Sequence, residues 1–288
     1  MNYLSHFGLR EPPFGITPDT SFFYAGRSIQ EALNTLIVAV ANGEGFIKIT
    51  GEVGTGKTLL CRKLLASLGS GWVSAYLPNP NLEPRTLLFA LAAELRLSPD
   101  ASLDQYRLMG SINKVLLDCA RAGKRVVLCM DESQAMPLET LEAVRLLTNL
   151  ETEKRKLLQV VLFGQPELDR KLATESIRQL RQRITFQHRL IGLALDEVAS
   201  YVNYRLVIAG YAGQPMIAHQ AVRALHRASR GVPRLINILM HKSLLLAYGE
   251  GCRSVERRHV QGAIHDTPAA GPRSRWSWLK PPFFRASD

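Results

Sequence analysis

The sequence predicts an α/β fold in which a parallel sheet lies between helices, followed by a small all-helical unit. Three observations carry that expectation. Residues 45–68 read as a strand, a glycine-rich loop and a helix; apolar runs alternate with amphipathic stretches up to about residue 190; and every later stretch has helical period, separated by Gly or Pro.

Residues 1–24 are rich in Pro and aromatics (FGLREPPFGITPDTSFFY), a composition that suits an extended strap pinned by side chains better than a helix. From Ser28, IQEALNTLIVAVANG repeats apolar residues at helical spacing and stops at Asn42-Gly43, as a helix with a C-terminal glycine does. The strand GFIKIT, the loop GEVGTGKT and the helix LLCRKLLASL follow. Then come strand WVSAYL, helix TLLFALAAEL, a long helix from about Leu103 to Ala122, strand RVVLCMDE, helix LETLEAVRLLTNLE and strand LLQVVLFG. After Arg189 the patterns DEVASYVNYRLVIAG, IAHQAVRALHRAS, VPRLINILMHKSLLLAYG and VERRHVQGAIH are all helical. The expected organisation is a strap over 1–24, a nucleotide-binding α/β unit over 25–190, a helical lid over 191–266 and a basic, aromatic, mobile tail over 267–288.

Hydrophobic content of 46% and charged content of 21% over 288 residues are those of an ordinary globular chain. No segment approaches the roughly 18 apolar residues of a membrane span. The start, MNYLSHFGLR, lacks the profile of a secretory signal, which predicts a cytoplasmic chain. Cys61, Cys119, Cys129 and Cys252 share no metal-type spacing and read as reduced packing residues, and the seven histidines show no metal spacing either. The net charge of +11 is concentrated in Arg178 to Arg189 and after Arg253. It is compatible with nucleic acid, an anionic membrane surface, or phosphate binding with plain solvation. In the tail, Trp276, Trp278, Phe283 and Phe284 interleave with Arg273, Arg275, Lys280 and Arg285. That mixture suits peripheral contact with an anionic membrane surface or a groove on a partner, and a tail of no consequence is the plainer alternative.

The octet Gly51, Glu52, Val53, Gly54, Thr55, Gly56, Lys57, Thr58 fits GxxxxGK[ST] at every fixed position, and Leu59 continues into the helix. Such a loop turns its backbone N–H groups around phosphates; Lys57 reaches the outer phosphates of ATP and the Thr58 hydroxyl ligates Mg²⁺. The apolar strand Val126–Met130 ends in Asp131-Glu132, where a parallel sheet presents its ligand edge. Asp131 is the expected second Mg²⁺ holder, and Glu132 the residue that polarises the attacking water. Gln165 ends the strand QVVLFG and is the expected water-orienting or sensor residue, with a simple Gln165-Pro166 turn as the alternative. Arg178, Arg181 and Arg183 follow a helix on the same half of the sheet; one of them, foremost Arg183, can serve a neighbouring subunit as a trans arginine, with a solvated basic face as the alternative. Arg234 opens a lid helix beside Pro233, where a cation opposes the helix dipole unless it faces a phosphate.

These residues, with Phe7-Gly8-Leu9, Pro13-Phe14 and Pro18-Asp19 to Tyr24, make the chain resemble the ExeA-like branch of the AAA+ P-loop ATPases from about Asn2 to Asp266. The strings GEGFIKITGEVGTGKTLLCRKLL, TNLETEKRKLLQVVLFGQPEL, RQLRQRITF, GVPRLIN and LLLAYGEG look most like its members attached to MSHA-type (type IV) pilus biogenesis. The resemblance implies ATP hydrolysis with Mg²⁺, a sensor arginine at Arg234, an arginine finger near Arg183, and a homo-oligomeric ring such as a hexamer, with envelope pilus-assembly proteins as partners. ExeA-like proteins of type II secretion carry a membrane span and a peptidoglycan-binding domain after the ATPase part. The present sequence runs to Asp288 without either, which turns the expectation toward the pilus-type members. The family often has His where Ile29 stands and Ala where Ser133 stands. The other readings are an ExeA-like type II secretion assembly ATPase and a DNA-bound regulator of transposition or replication. No helix-turn-helix follows the lid pattern, so nucleic acid is not the expected partner.

Overall fold

The computed structural model describes residues 3–152 and 155–270. The N-terminal segment holds a short helix α1 (Tyr3–Phe7) and a 3₁₀ turn at Thr20–Phe22, with the remainder extended. The five-residue helix departs from the fully extended strap expected above. It forms because Phe7 and Leu9 are buried against the C-terminal helices, where Pro and aromatic content alone gave no such cue.

Helix α2 (Arg27–Asn42) ends at a left-handed Gly43 and leads into β1 (Phe46–Gly51), the glycine loop and α3 (Lys57–Ser67). Then follow β2 (Trp72–Leu77), α4 (Pro84–Glu94), α5 (Gln105–Arg121), β3 (Arg125–Met130) and α6 (Leu138–Leu147). Asp104 caps α5 by accepting from the Arg107 N–H, which starts that helix two residues after the expected Leu103. Past α6 a two-residue antiparallel ladder, β4 (Glu151–Thr152) with β5 (Arg155–Lys156), stands where the sequence pattern continued a helix. The sheet is completed by β6 (Leu158–Gly164) and, after α7 (Glu167–Leu172) and α8 (Arg178–Arg183), by β7 (Ile184–Leu190).

The five long strands are parallel in the order β2-β3-β6-β1-β7. Strand β6 therefore separates β1 from β3, with Thr50 level with Gly164 and Met130 level with Leu162. All three strands end on one edge, so the loop after Gly51, the Asp131-Glu132 pair and Gln165 are brought side by side by register alone. Every residue of β6 is buried because both faces are covered. Val160 and Leu162 face the core shared with α4, α5 and α6. Val161 and Phe163 face Leu36, Val40, Leu60 and Leu64 of α2 and α3. Burying a side chain such as Phe163 stabilises the fold by about 1.5–3 kcal/mol.

The chain then enters a helical region: α9 (Leu195–Ile208), α10 (His219–Ser229), α11 (Pro233–Gly249) and α12 (Arg257–His265). Its core also takes Phe7, Leu9, Phe14 and Phe22, so the N-terminal segment packs on these helices and not on the sheet. The turn between sheet and helices is tight. Leu193 N–H donates to the Gly231 carbonyl at 2.8 Å, and a β-carbon on Gly231 would meet Leu193 O at 2.1 Å. Glu197 of α9 accepts the Arg27 N–H at 2.7 Å, placing a carboxylate at the start of α2 where the helix dipole favours it. Thr267 is buried and donates to Ala263 O, so residues 267–270 extend the helical region. The expected tail contacts, from Arg273 to Arg285, lie outside the described residues. Among the described residues no helix is long and apolar enough to cross a membrane.

Candidate nucleotide-binding site

The glycine loop is shaped as its spacing demands. Gly54 and Gly56 adopt φ of 82° and 101°, a region costly for other residues. Gly56 caps α3 without a side-chain hydrogen bond, leaving first-turn N–H groups for an anion. Lys57 is buried, and its ammonium donates to the carbonyls of Gly51 at 2.8 Å and Glu52 at 3.0 Å. Burial pushes the Lys57 pKa below its ordinary value, against the raising pull of Glu132, Asp131, Glu52 and Glu167.

Thr58 donates its hydroxyl to Asp131 Oδ2 at 2.5 Å. A hydroxyl and a carboxylate in contact, both hard oxygen donors beside the loop, form a donor set suited to Mg²⁺. Burial raises the Asp131 pKa, the Thr58 hydroxyl and the Glu132 N–H opposing it. Glu132 occupies a left-handed backbone position, φ 49°, which carries its side chain to the wall of the cleft. Burial would raise its pKa, but the amides of Gln134 and Gln165 and the charge of Lys57 outweigh it and hold the carboxyl below its ordinary value.

Gln165 donates from Nε2 to Glu132 Oε2 at 3.1 Å, so it meets the catalytic candidate directly rather than only opening a turn. Gln134 was not singled out in the sequence, yet it donates to the same oxygen at 2.6 Å and accepts the Gln165 N–H at 2.9 Å. Its first partner, Glu132, is two residues away, but the second, the Gln165 N–H, lies 31 positions away and has no signal in the neighbouring sequence.

Arg234 comes from the first turn of α11 and lies over the loop: its N–H donates to Gly54 O at 3.3 Å. Its side chain is exposed and lines the cleft with Val53, Gly54, Lys57 and Glu132. The far wall is built from Gly15 to Asp19 and from Tyr201, Arg205 and Asn237. Those side chains form a buried chain of hydrogen bonds. Arg205 Nε donates to Pro13 O at 2.5 Å and Nη1 to the Tyr201 hydroxyl at 3.1 Å; Tyr201 donates to Asn237 Oδ1 at 2.8 Å, and Asn237 Nδ2 to Gly15 O at 3.0 Å. An asparagine inside the apolar run RLINILM was the one available signal.

The arginines of RQLRQR are placed elsewhere. They belong to α8 itself, and Ile184, the residue after Arg183, pairs with Phe46 at the opposite end of β1 from Gly51. That is roughly 16 Å along the strand from this chain's own loop, which corrects the expectation that they share its half of the sheet. Arg183 donates to Asn149 Oδ1 and to Thr148 Oγ1 at 3.3 Å, while Arg178 pairs with Glu175 at 3.2 Å. Arg181 is exposed, and no described residue pairs with it.

Among the described residues one other group has metal-type chemistry, Glu250, Cys252 and His259. Its donors do not fit a cation. His259 Nδ1 accepts the Glu256 N–H at 3.0 Å, which leaves the proton on Nε2 facing Glu250 at 3.1 Å, and Arg258 already pairs with Glu250 at 3.0 Å. The four cysteines are free, and Cys61 and Cys129 are buried in the core.

Comparison with known proteins agrees with this geometry. Residues 40–172 match the AAA domain family. General secretion pathway protein A of Aeromonas hydrophila is 41% identical over 276 residues, covering 96% of this chain and 50% of that protein, so the chain spans half the length of its relative. The Aeropyrum pernix ORC2 protein superposes with a TM-score of 0.62 at 15% identity over 89% of this chain and 73% of that one. CDC6P of Pyrobaculum aerophilum gives 0.61 at 16% identity over 86% and 70%. At such identities the two structures establish the fold alone.

Proposed function

We propose, taking the chain as an ExeA-like ATPase of the AAA fold, that it binds and hydrolyses ATP with Mg²⁺ on the cytoplasmic side to drive assembly of an envelope secretion machine. The observation that carries the secretion reading is the 41% identity, nearly end to end in this chain, to a general secretion pathway protein A. This reverses the order of the two envelope readings drawn from the sequence strings, which favoured MSHA-type pilus assembly. The pilus reading stands second, on those strings. The basic charge alone supports a nucleic-acid role, and nothing in the cleft adds to it.

Bound ATP supplies the phosphoryl group, and Mg²⁺ the charge that neutralises it. The residues have distinct tasks. Lys57 exchanges the carbonyls of Gly51 and Glu52 for phosphate oxygens. Thr58 and Asp131 hold the metal. Glu132 takes a proton from the attacking water, and Gln165 orients that water or senses the outer phosphate. Arg234 lies where it can report phosphate to the helical region. Arg183 is assigned to a neighbouring subunit's site, since its own is a sheet length away, and that assignment requires a homo-oligomeric ring.

The test has two arms. The purified chain should release phosphate from ATP in a Mg²⁺-dependent way, and Lys57→Ala should not. Deleting its gene in the organism that encodes it should impair export of secreted proteins and leave surface pili intact; lost pili with normal export would put the pilus reading first.

A further inference from the structure

We propose that Gln134 is a positioning residue for Glu132, a side-chain bracket that fixes which carboxylate oxygen faces the water. The inference rests on the ATP-hydrolysis reading above and adds a residue to it.

Both amide donors, Gln134 Nε2 at 2.6 Å and Gln165 Nε2 at 3.1 Å, converge on Glu132 Oε2. Oε1 receives no hydrogen bond from any described residue, and Glu132 lines the cleft together with Lys57 and Thr58. One oxygen is thus tied back while the other is left to accept a proton. The Gln134 amide can be oriented only one way. Its Oε1 accepts the Gln165 N–H at 2.9 Å, and turning the amide over would set N–H against N–H and oxygen against carboxylate.

The bracket is itself held. Lys171 of α7 donates to Gln134 O at 2.7 Å and Met136 O at 2.5 Å, pinning both sides of the turn Ser133–Ala135. Ser133 donates to Met130 O at 2.9 Å and ties the same turn to the end of β3. At Gly164 a β-carbon would lie 3.3 Å from Gln134 Oε1 and 2.8 Å from Leu168, so the bare glycine leaves the amide its room.

The experiment uses the full chain with Gln134→Met, which keeps length and volume but neither hydrogen bond, and Gln134→Glu, which sets a like charge beside Glu132. Measured together are binding of a fluorescent ATP analogue, kcat and KM, the pH dependence of kcat, and the titration of the Glu132 carboxyl by ¹³C NMR. Gln134→Met should bind nucleotide within about twofold of the parent and lose about 10- to 100-fold in kcat, since a misaimed base forfeits much of its catalytic factor. The acid limb of kcat and the Glu132 titration should both move to higher pH, further in Gln134→Glu. A Gln134→Met protein with unchanged or raised kcat would overturn the proposal. Failure of the hydrolysis reading looks different: the parent releases no phosphate, or Glu132→Gln turns over normally. The Glu132 side-chain conformation, compared between crystal structures of the parent and Gln134→Met, decides the bracket in that case. If Gln134→Met does not fold, Gln134→Leu, which also removes both hydrogen bonds, is measured against the same criteria.

Discussion

Arg234 rests on Gly54. The arginine N–H reaches the glycine carbonyl at 3.3 Å, and a β-carbon on Gly54 would fall 2.4 Å from Arg234 Cβ. The helical region is thus seated on the backbone that surrounds the phosphates, so loop shape and lid position are set together. Gly54→Ala should fail on both counts, through its φ of 82° and through this contact. Nucleotide affinity, read by titration with a fluorescent ATP analogue, should fall at least about tenfold, the cost of roughly 1.4 kcal/mol of strain or lost contact. Unchanged affinity would detach the lid from the loop.

Lys57→Ala and Glu132→Gln separate binding from chemistry. The first should abolish nucleotide binding. The second should bind ATP and lose about 10²- to 10⁴-fold in turnover, as removal of a general base does. Single-turnover phosphate release after filter binding measures both.

Asp131→Asn should make the nucleotide-free protein more stable and remove Mg²⁺-dependent turnover. Burial raises the Asp131 pKa above its unfolded value. The folded state therefore holds that proton more tightly, and the contribution favours the fold at low pH and is lost as pH rises through the folded pKa. At neutral pH the penalty stands in full, and Asn removes it, keeping Oδ1 for the Glu132 N–H and turning Nδ2 to donate to the Thr58 hydroxyl. Thermal unfolding should show a higher Tm for Asp131→Asn at pH 7 and a shrinking difference as pH falls toward the ordinary carboxylate range. A lower Tm at pH 7 would mean that the charged Asp131 pairs better than its burial indicates.

Arg183→Ala should be inactive alone and regain turnover when mixed with Glu132→Gln subunits, which offer an intact arginine to the mutant's competent site. Phosphate release across mixing ratios measures it. If no mixture shows rescue, the exposed Arg181 becomes the residue to change.

Arg205→Met should destabilise the chain by about 1–3 kcal/mol in urea unfolding, since it strands the buried Pro13 carbonyl and takes one of two hydrogen bonds from the buried Tyr201 hydroxyl. A loss below about 0.5 kcal/mol, the scatter of surface changes, would place the network outside the stability core.

The sequence was most informative where function is local. The loop from Gly51 to Thr58 and the Asp131-Glu132 pair are fixed by spacing within a strand–loop–helix or a strand end, and such patterns survive without knowledge of the rest. Sheet order was the missing quantity. Once β6 is known to lie between β1 and β3, the Gln165 N–H becomes the second partner of Gln134. Arg205 was invisible for another reason: an arginine in an amphipathic helix reads as solvated, and only packing against Phe22 and Pro13 shows it buried. The position of α8 was misjudged because helical period says nothing about which end of a strand follows.

The hydrogen bonds from Arg205 to Pro13 and from Asn237 to Gly15 join positions 192 and 222 residues apart. During synthesis the first of these partners leaves the ribosome long before the second. The sheet has all its strands once Leu190 has emerged, but the wall of the cleft built from residues 15–19, tied to α3 by Arg62 Nη1 donating to Pro18 O at 3.1 Å, lacks its buried partners until α9 and α11 follow. A nascent or prematurely stopped chain therefore carries a phosphate loop whose cleft still lacks the wall that α9 and α11 hold in place.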